Sequence, residues 1–199
     1  MMITILILAV ILLSGCAGGD HAYLPQDGDI IFHTSTSAQS QAVQAATGSR
    51  YSHMGLVFVN DGNPVVLEAV QPVKATPLAD WIARGVDGRF TVRRLANRDE
   101  ARLAAAAPGM SRTFLGKPYD IHFEWTDDSI YCSELVWKIY DRELGIKLAP
   151  LAEFRTFDLT NPIVQTIIQT RWGDNPPLDM QVITPAAILN SPLLEEVPQ

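Results

Sequence analysis

The chain has 199 residues, of which 47% are hydrophobic and 19% are charged. Such a length and composition are typical of one folded domain with a substantial core, and they exclude a disordered chain. The formal net charge is −7, and no run of lysine and arginine interrupts it. The sequence therefore argues against a nucleic-acid-binding surface.

The first residues differ from the rest of the chain. Residues 2–13 are uncharged and almost entirely apolar, which is too short for a transmembrane helix but suits the apolar region of a signal peptide. The run ends in Leu13-Ser14-Gly15-Cys16, which resembles the bacterial lipobox and implies that Cys16 is lipidated. A cytosolic protein with a frayed apolar start is the alternative.

This interpretation divides the chain into three parts. Residues 1–15 are expected to be a lipoprotein signal peptide, residues 16–26 a polar tether, and residues 27–199 the folded domain. Ala17 follows the lipidated cysteine and indicates the outer membrane. We therefore expect a periplasmic protein, anchored to the membrane by lipid.

Short strands and helices alternate irregularly along the domain. Residues 28–32 predict a strand and residues 35–49 a helix, followed by two strands, at 54–59 and 64–70, around an Asp-Gly turn. Next come a helix after Thr76-Pro77 and a strand at 89–95. A further helix is predicted to begin at an Asn97–Glu100 capping box and to end at Pro108. The last two predicted helices begin at Asn161-Pro162 and at Thr184-Pro185. Because regular βαβ alternation is missing from this order, the predicted class is α+β.

The Asp-Gly turn fixes a register for the hairpin. If Asp61 and Gly62 are the loop residues, Val57 pairs with Val66 and Gly55 with Glu68. Residues two apart in a strand share a face, so His53 and Glu68 become diagonal neighbours within reach of each other.

Cys132 is predicted to lie at the start of a helix. The apolar positions that follow it repeat at helical spacing and place the cysteine in the first turn, on the buried side. Ser129 or Asp128 is the expected N-cap, and Gly145 marks the end. The helix dipole favours thiolate at this position, although a buried free cysteine is also common as a small apolar residue.

A cysteine nucleophile needs a base and a group that orients the base. His53 has Glu68 beside it and is the preferred base, while His122 is the competitor and would need Asp120 as its partner. A metal site using His33, His53 and His122 is disfavoured because their spacing is not that of metal ligands. The sequence contains neither a phosphate-binding loop nor a Gly-x-Ser-x-Gly elbow, so neither a nucleotide cofactor nor a serine nucleophile is expected.

Four short motifs occur in an order that resembles the circularly permuted NlpC-type papain-like proteins of the YiiX/YaeF group, and more distantly the lecithin:retinol acyltransferase-like enzymes. They are Gly28-Asp29-Ile30-Ile31, Tyr51-Ser52-His53-Met54-Gly55, Leu67-Glu68-Ala69 and Tyr131-Cys132-Ser133-Glu134-Leu135-Val136. The resemblance implies an antiparallel sheet or small barrel packed against the helix that carries the cysteine. It also implies Cys132 as nucleophile, His53 as base and Glu68 as the third residue.

The expected function is that of a cysteine hydrolase acting on amide bonds, in a cell-wall peptide or a related amide, through a thioester intermediate. The resemblance leaves a lipid acyl hydrolase or acyltransferase as one alternative, and a lipid- or peptidoglycan-binding lipoprotein without turnover as another. The backbone N–H of Cys132 is a candidate oxyanion donor. Tyr51 and Tyr131 are further candidates for oxyanion or substrate binding, and neither a metal nor a cofactor is expected.

Overall fold

The computed structural model describes residues 23–199, so the predicted signal peptide, Cys16 and the start of the tether lie outside the described residues. Strands and α-helices alternate irregularly in this part, as the sequence predicts. In chain order they are β1 (Ile30–His33), α1 (Ala38–Thr47), β2 (His53–Asn60), β3 (Asn63–Glu68), β4 (Lys74–Pro77), α2 (Leu78–Ala83), β5 (Phe90–Leu95), α3 (Glu100–Met110), α4 (Cys132–Leu144), β6 (Ala152–Glu153), α5 (Pro162–Trp172), β7 (Gln181–Val182), α6 (Pro185–Leu189) and β8 (Leu194–Val197).

Six strands form one antiparallel sheet in the order β4-β3-β2-β1-β5-β8, and β6 pairs with β7 in a separate two-stranded sheet. The β2–β3 hairpin lies near the middle of the large sheet, and β4 and β8 are its two edges. The sheet is therefore open, and of the two predicted forms it is the sheet rather than the closed barrel. The α+β class is confirmed.

The predicted hairpin register is also confirmed. Val57 pairs with Val66 and Val59 with Pro64, and Asn60 and Asn63 close the ladder at the turn. Strand β2 begins at His53 and β3 ends at Glu68, so both residues lie at the end of the hairpin far from its turn.

Helix α4 covers one face of the sheet with the apolar stripe that the sequence predicts. Leu135, Val136 and Ile139 are fully buried, and α4 packs against β2 and α3. The opposite face is covered by Trp81 of α2, which packs with Val57 and Val66. Burial on both faces explains why β2 is apolar at successive positions rather than at alternate ones.

Two helix starts differ from the sequence prediction. The N-cap of α3 is Asp99, whose side chain accepts a hydrogen bond from the backbone N–H of Arg102 at 3.0 Å, so the Asn97 capping box is wrong. The N-cap of α4 is Tyr131, not Ser129 or Asp128.

Helix α3 also continues past Pro108 to Met110. Proline removes one hydrogen bond near the end of a helix, and the fully buried Met110 side chain offsets that loss. Among the described residues, no helix has the length and apolar character needed to cross a membrane.

Gly55 is required by the close packing of β2 on β3. A Cβ atom at this position would lie 2.5 Å from Cγ1 of Val66 and 2.7 Å from the carbonyl oxygen of Leu67. The second contact is with backbone, so a rotamer change cannot relieve it.

We expect Gly55→Ala to lower the free energy of unfolding by about 1–3 kcal/mol, because the added methyl group forces the hairpin apart. Urea denaturation measures the loss. Val59→Ala, at the exposed outer end of the same strand, is the control and should cost under about 1 kcal/mol. Equal losses in the two variants would contradict the packing argument.

Candidate active site

The ends of three elements meet at one end of the sheet. His53 is the first residue of β2, Glu68 the last residue of β3, and Cys132 the first residue of α4. The hairpin therefore brings the imidazole and the carboxylate together, and the packing of α4 on β2 brings the thiol to them.

Glu68 is fully buried and its carboxylate is surrounded by donors. Its Oε2 lies 2.8 Å from Nε2 of His53, and its Oε1 accepts hydrogen bonds from the Thr76 hydroxyl at 2.6 Å and from the Arg84 guanidinium. Burial alone would raise the pKa of this carboxyl, but the interactions with His53, Thr76 and Arg84 outweigh burial and lower it to about 2. Glu68 is therefore a carboxylate at neutral pH.

The His53 side chain is 18% exposed and is held on two sides. Burial lowers the pKa of the imidazole, but its interactions with Cys132 and with Glu68 outweigh burial and raise the pKa to about 9. Because Nε2 faces Glu68, Nδ1 is the nitrogen left to bond the Cys132 thiol. The imidazole therefore lies between the Glu68 carboxylate and the Cys132 side chain, and its raised pKa favours the imidazolium form.

Cys132 is 5% exposed and has its backbone N–H in the first turn of α4. The first N–H groups of a helix lack an intrahelical acceptor, so this N–H is available to a ligand at the sulfur. The same helix start places positive potential at the thiol.

His33 is a neutral neighbour of His53. It pairs with His53 across β1 and β2, and its ring stacks on Trp81 with 3.9 Å between the ring centres. Burial, followed by the positive charges of His53 and Arg84, lowers the pKa of His33 to about 3. The ring is therefore neutral and forms an uncharged wall beside the imidazolium.

The structure brings His53, and not His122, to Cys132. The backbone N–H of His122 donates to Oδ1 of Asp120 at 2.8 Å, and its ring lies edge-on to Trp172 with 6.1 Å between the centres. His122 also does not line the cavities that adjoin Cys132 or His53.

The two predicted tyrosines occupy different places. Tyr51 precedes β2, and its ring packs against the ring of Phe32 with 6.2 Å between the ring centres. Tyr51 does not line the cavities beside Cys132 or His53. Tyr131 lines the cavity next to Cys132, and its hydroxyl accepts a hydrogen bond from the backbone N–H of Ile183 at 3.1 Å.

The motifs of the sequence do not single out Gln39 or Tyr119, which the structure places beside Cys132. Nε2 of Gln39 donates to the Tyr119 hydroxyl at 2.5 Å, and Oε1 of Gln39 accepts from the Arg171 guanidinium at 2.6 Å. Burial and the negative charge of Cys132 raise the pKa of Tyr119, so its hydroxyl keeps a proton to donate. The hydrogen-bond partners of Gln39 lie 80 and 132 residues away in the chain. No local sequence pattern could therefore identify this glutamine as a site residue.

The structure groups a helix-start cysteine, a histidine at a strand end and a buried carboxylate, which are the groups that a papain-like cysteine hydrolase requires. The chain belongs to the family described as permuted papain-like amidase enzymes, YaeF/YiiX, C92 family, whose sequence profile matches residues 24–198. The protein is accordingly a cysteine amidase-like hydrolase with the permuted order, in which the histidine strand precedes the cysteine helix.

Two relatives support this assignment. The chain is 44% identical over 180 residues to the Escherichia coli (strain K12) protein described as uncharacterized protein YiiX, which covers 88% of this chain and 87% of the relative. It is also similar to the crystal structure of metalloprotein yiiX from Escherichia coli O157:H7, with a TM-score of 0.84, 44% identity, and coverage of 88% of this chain and 97% of that one.

The description of that relative as a metalloprotein concerns that protein. Between residues 23 and 199 no three His, Cys, Asp or Glu side chains are grouped so that they could hold a metal ion. The Glu68 carboxylate is already bonded by His53, Thr76 and Arg84.

Glu134 is a second buried carboxyl in the first turn of α4. It is fully buried, lies 2.7 Å from Nζ of Lys138, and accepts a hydrogen bond from the backbone N–H of Tyr131 at 3.3 Å. Burial raises the pKa of Glu134 to about 7, against the opposing effect of Lys138. The carboxyl that fixes the start of the cysteine helix therefore titrates near neutral pH.

The pKa of Glu134 in the folded protein lies above its ordinary value of 4.5. The stability that this group contributes is then fully present below about pH 4.5 and is lost as the pH rises through 7. We expect the free energy of unfolding to contain a component that falls over this range, by at most about 1.4 kcal/mol per pH unit. Urea denaturation between pH 4.5 and 8 measures it.

Glu134→Gln should remove that component, whereas Glu143→Gln, at an exposed position of the same helix, should leave it in place. Identical pH profiles for the wild type and Glu134→Gln would show that Glu134 does not titrate in this range.

Proposed function

We propose that the protein hydrolyses an amide bond in a peptide or related amide, with Cys132 as nucleophile, His53 as base and acid, and Glu68 as the group that orients His53. The observation that carries the proposal is the 2.8 Å contact between Nε2 of His53 and the buried Glu68 carboxylate, which leaves Nδ1 for the Cys132 thiol. A base oriented in this way is what a thiol nucleophile requires.

The first half of the reaction forms a thioester. The Cys132 thiolate attacks the amide carbonyl carbon, and the negative charge moves to the carbonyl oxygen. Imidazolium His53 then gives its proton to the amide nitrogen, the C–N bond breaks, and the amine leaves. The acyl group stays on the sulfur.

The second half releases the acyl group. The neutral His53 takes a proton from water, and the oxygen of that water attacks the thioester carbonyl. The C–S bond breaks, the carboxylic acid leaves, and the Cys132 thiolate and the His53 imidazolium are restored.

The oxyanion formed in each half needs donors. The backbone N–H of Cys132 is one, and we assign the Tyr119 hydroxyl as the second, since the Gln39 amide already donates to its oxygen and leaves its proton free. In this role Tyr119 replaces Tyr51, which packs on Phe32.

The apolar cavity beside Cys132 favours one variant of this function, the cleavage of an acyl ester or transfer of the acyl group. The thioester chemistry is the same for both substrates. A cell-wall peptide and a lipid therefore remain the two substrate types to compare, and an anchor at Cys16 would hold the enzyme at the periplasmic face of a membrane.

Alkylation of Cys132 by iodoacetamide, followed by mass spectrometry as a function of pH, separates the enzyme from a protein that only binds. We expect the wild type to react at neutral pH, well below the ordinary thiol pKa of about 8.5. His53→Ala should shift the profile to that of an ordinary thiol, and His122→Ala is the matched control that should leave it unchanged. An ordinary profile in the wild type would favour the binding protein.

Glu68→Gln should lower kcat/KM about 10- to 150-fold, since a hydrogen bond to a charged group is worth roughly 1.5–3 kcal/mol. The pKa of His53 should fall as well, because the Glu68 charge helps to raise it; NMR titration of the imidazole measures this. Cys132→Ala should abolish turnover, and Glu195→Gln, at an exposed position of β8, should change neither quantity. Losses of equal size in Glu68→Gln and Cys132→Ala, with the fold intact, would instead indicate proton transfer by Glu68.

A further inference from the structure

An apolar cavity adjoins Cys132 and does not include His53. It encloses about 540 Å³ of space, which includes open solvent at its mouth. Its walls come from α1, from Ser52 and from four later segments, at residues 119–123, 131–133, 154–157 and 182–185. The side chains that give it its apolar character are Val43, Ala46, Phe123, Phe154, Phe157 and Val182.

His53 opens instead onto two other cavities that do not include Cys132. One is bordered by Val70 and Gln71, and the other by Arg84 together with serines of α1 and the residues before it. Gln39 and Tyr119 line all three cavities. These two side chains therefore stand between an apolar cavity on the sulfur side and more open grooves on the imidazole side.

The chemistry assigns the two sides to the two halves of the substrate. His53 protonates the leaving group, so the leaving group lies on the side of the imidazole, in the open grooves. The acyl group stays bonded to the sulfur of Cys132, so it extends into the cavity that Cys132 lines.

We infer that this cavity binds the acyl half of the substrate and that this half is apolar, either a straight aliphatic acyl chain or an amino-acid residue with a large apolar side chain. The inference rests on the proposed function, because it uses the positions of the nucleophile and the acid.

The lining also excludes charged acyl groups. The described residues that line the cavity include neither a carboxylate nor a cationic side chain, so a charged acyl group buried there would have no counter-ion. Burial of an unpaired charge is costly, whereas each buried methylene group contributes favourably. Selectivity for apolar over charged acyl groups is the expected result.

The test measures acylation of Cys132 by p-nitrophenyl esters of straight-chain acids from acetyl to octanoyl. The thiolate forms a bond with the carbonyl carbon and p-nitrophenolate leaves; its absorbance gives the rate, and mass spectrometry locates the acyl group. We expect kcat/KM to rise about fourfold for each added methylene group until the cavity is full. A succinyl ester, which carries a carboxylate, should react more slowly than the butanoyl ester of the same chain length.

A second arm distinguishes the two sources of an apolar acyl group. It compares 4-nitroanilides of N-blocked phenylalanine, leucine and glutamate with those of hexanoic and octanoic acid. Preference for the aromatic or branched residues indicates a peptide substrate, preference for the straight chains indicates a fatty-acyl substrate, and either outcome supports an apolar acyl site.

Two substitutions on α1 test the location. Ala46→Trp fills the cavity and should lower kcat/KM for the octanoyl ester about tenfold or more, because roughly two methylene groups of the acyl chain lose their buried contacts. The effect on kcat/KM for the acetyl ester should be smaller. Ala38→Trp, at an exposed position of the same helix, is the matched control and should change neither. If Ala46→Trp fails to fold, Val43→Ala is the second variant. It enlarges the cavity and should reduce the increase in kcat/KM for each added methylene group.

The outcomes separate this inference from the proposed function. If Cys132 is acylated by the acetyl ester but the rate does not rise with chain length, or the succinyl ester reacts as fast as the butanoyl ester, the apolar site is wrong and the cysteine hydrolase stands. If the gain with chain length persists in Ala46→Trp, the acyl site lies elsewhere. If no ester acylates Cys132, the proposed function fails and the inference fails with it.

Discussion

The contact between His53 and the buried Glu68 carboxylate is the interaction on which the site depends. A carboxylate with no exposed surface is costly unless donors surround it, and here His53 of β2, Thr76 of β4 and Arg84, which follows α2, supply them. The hairpin register, the close approach at Gly55 and the pairing of β4 with β3 all serve to bring these groups together. The orientation of the imidazole, and hence the nitrogen that faces Cys132, follows from that network.

Much of this could be predicted from local sequence patterns. An Asp-Gly turn between apolar runs determines the register, and the register alone places His53 beside Glu68. The stripe after Cys132 predicts both α4 and the position of the cysteine in its first turn. These features depend on neighbours within about 20 residues, which is why a pattern in the chain is enough to reveal them.

The remaining features depend on distant contacts and leave little trace in the sequence. Strand β8 pairs with β5, which lies about 100 residues earlier in the chain. Thr76 and Arg84 bond to Glu68 because β4 pairs with β3 and α2 follows β4 directly. Tyr131 takes the N-cap of α4 from Ser129 because its N–H bonds to Glu134 and its hydroxyl to Ile183. Gln39 acts through residues far away in the chain, so composition and spacing cannot identify it.

Part of the wall of the cavity beside Cys132 comes from a later stretch of the chain than the groups that surround the sulfur. His53, Glu68 and Cys132 all precede residue 133, whereas Phe154, Phe157 and the segment 182–185 close the cavity from the far side. A change of the Phe154 or Phe157 side chain alters the shape of the cavity, whereas Ile183 is also hydrogen-bonded through its backbone to Tyr131 and Ser133 at the start of α4. Substitution of these two aromatic side chains therefore changes the space beside the sulfur while the groups bonded to Glu68 stay in place.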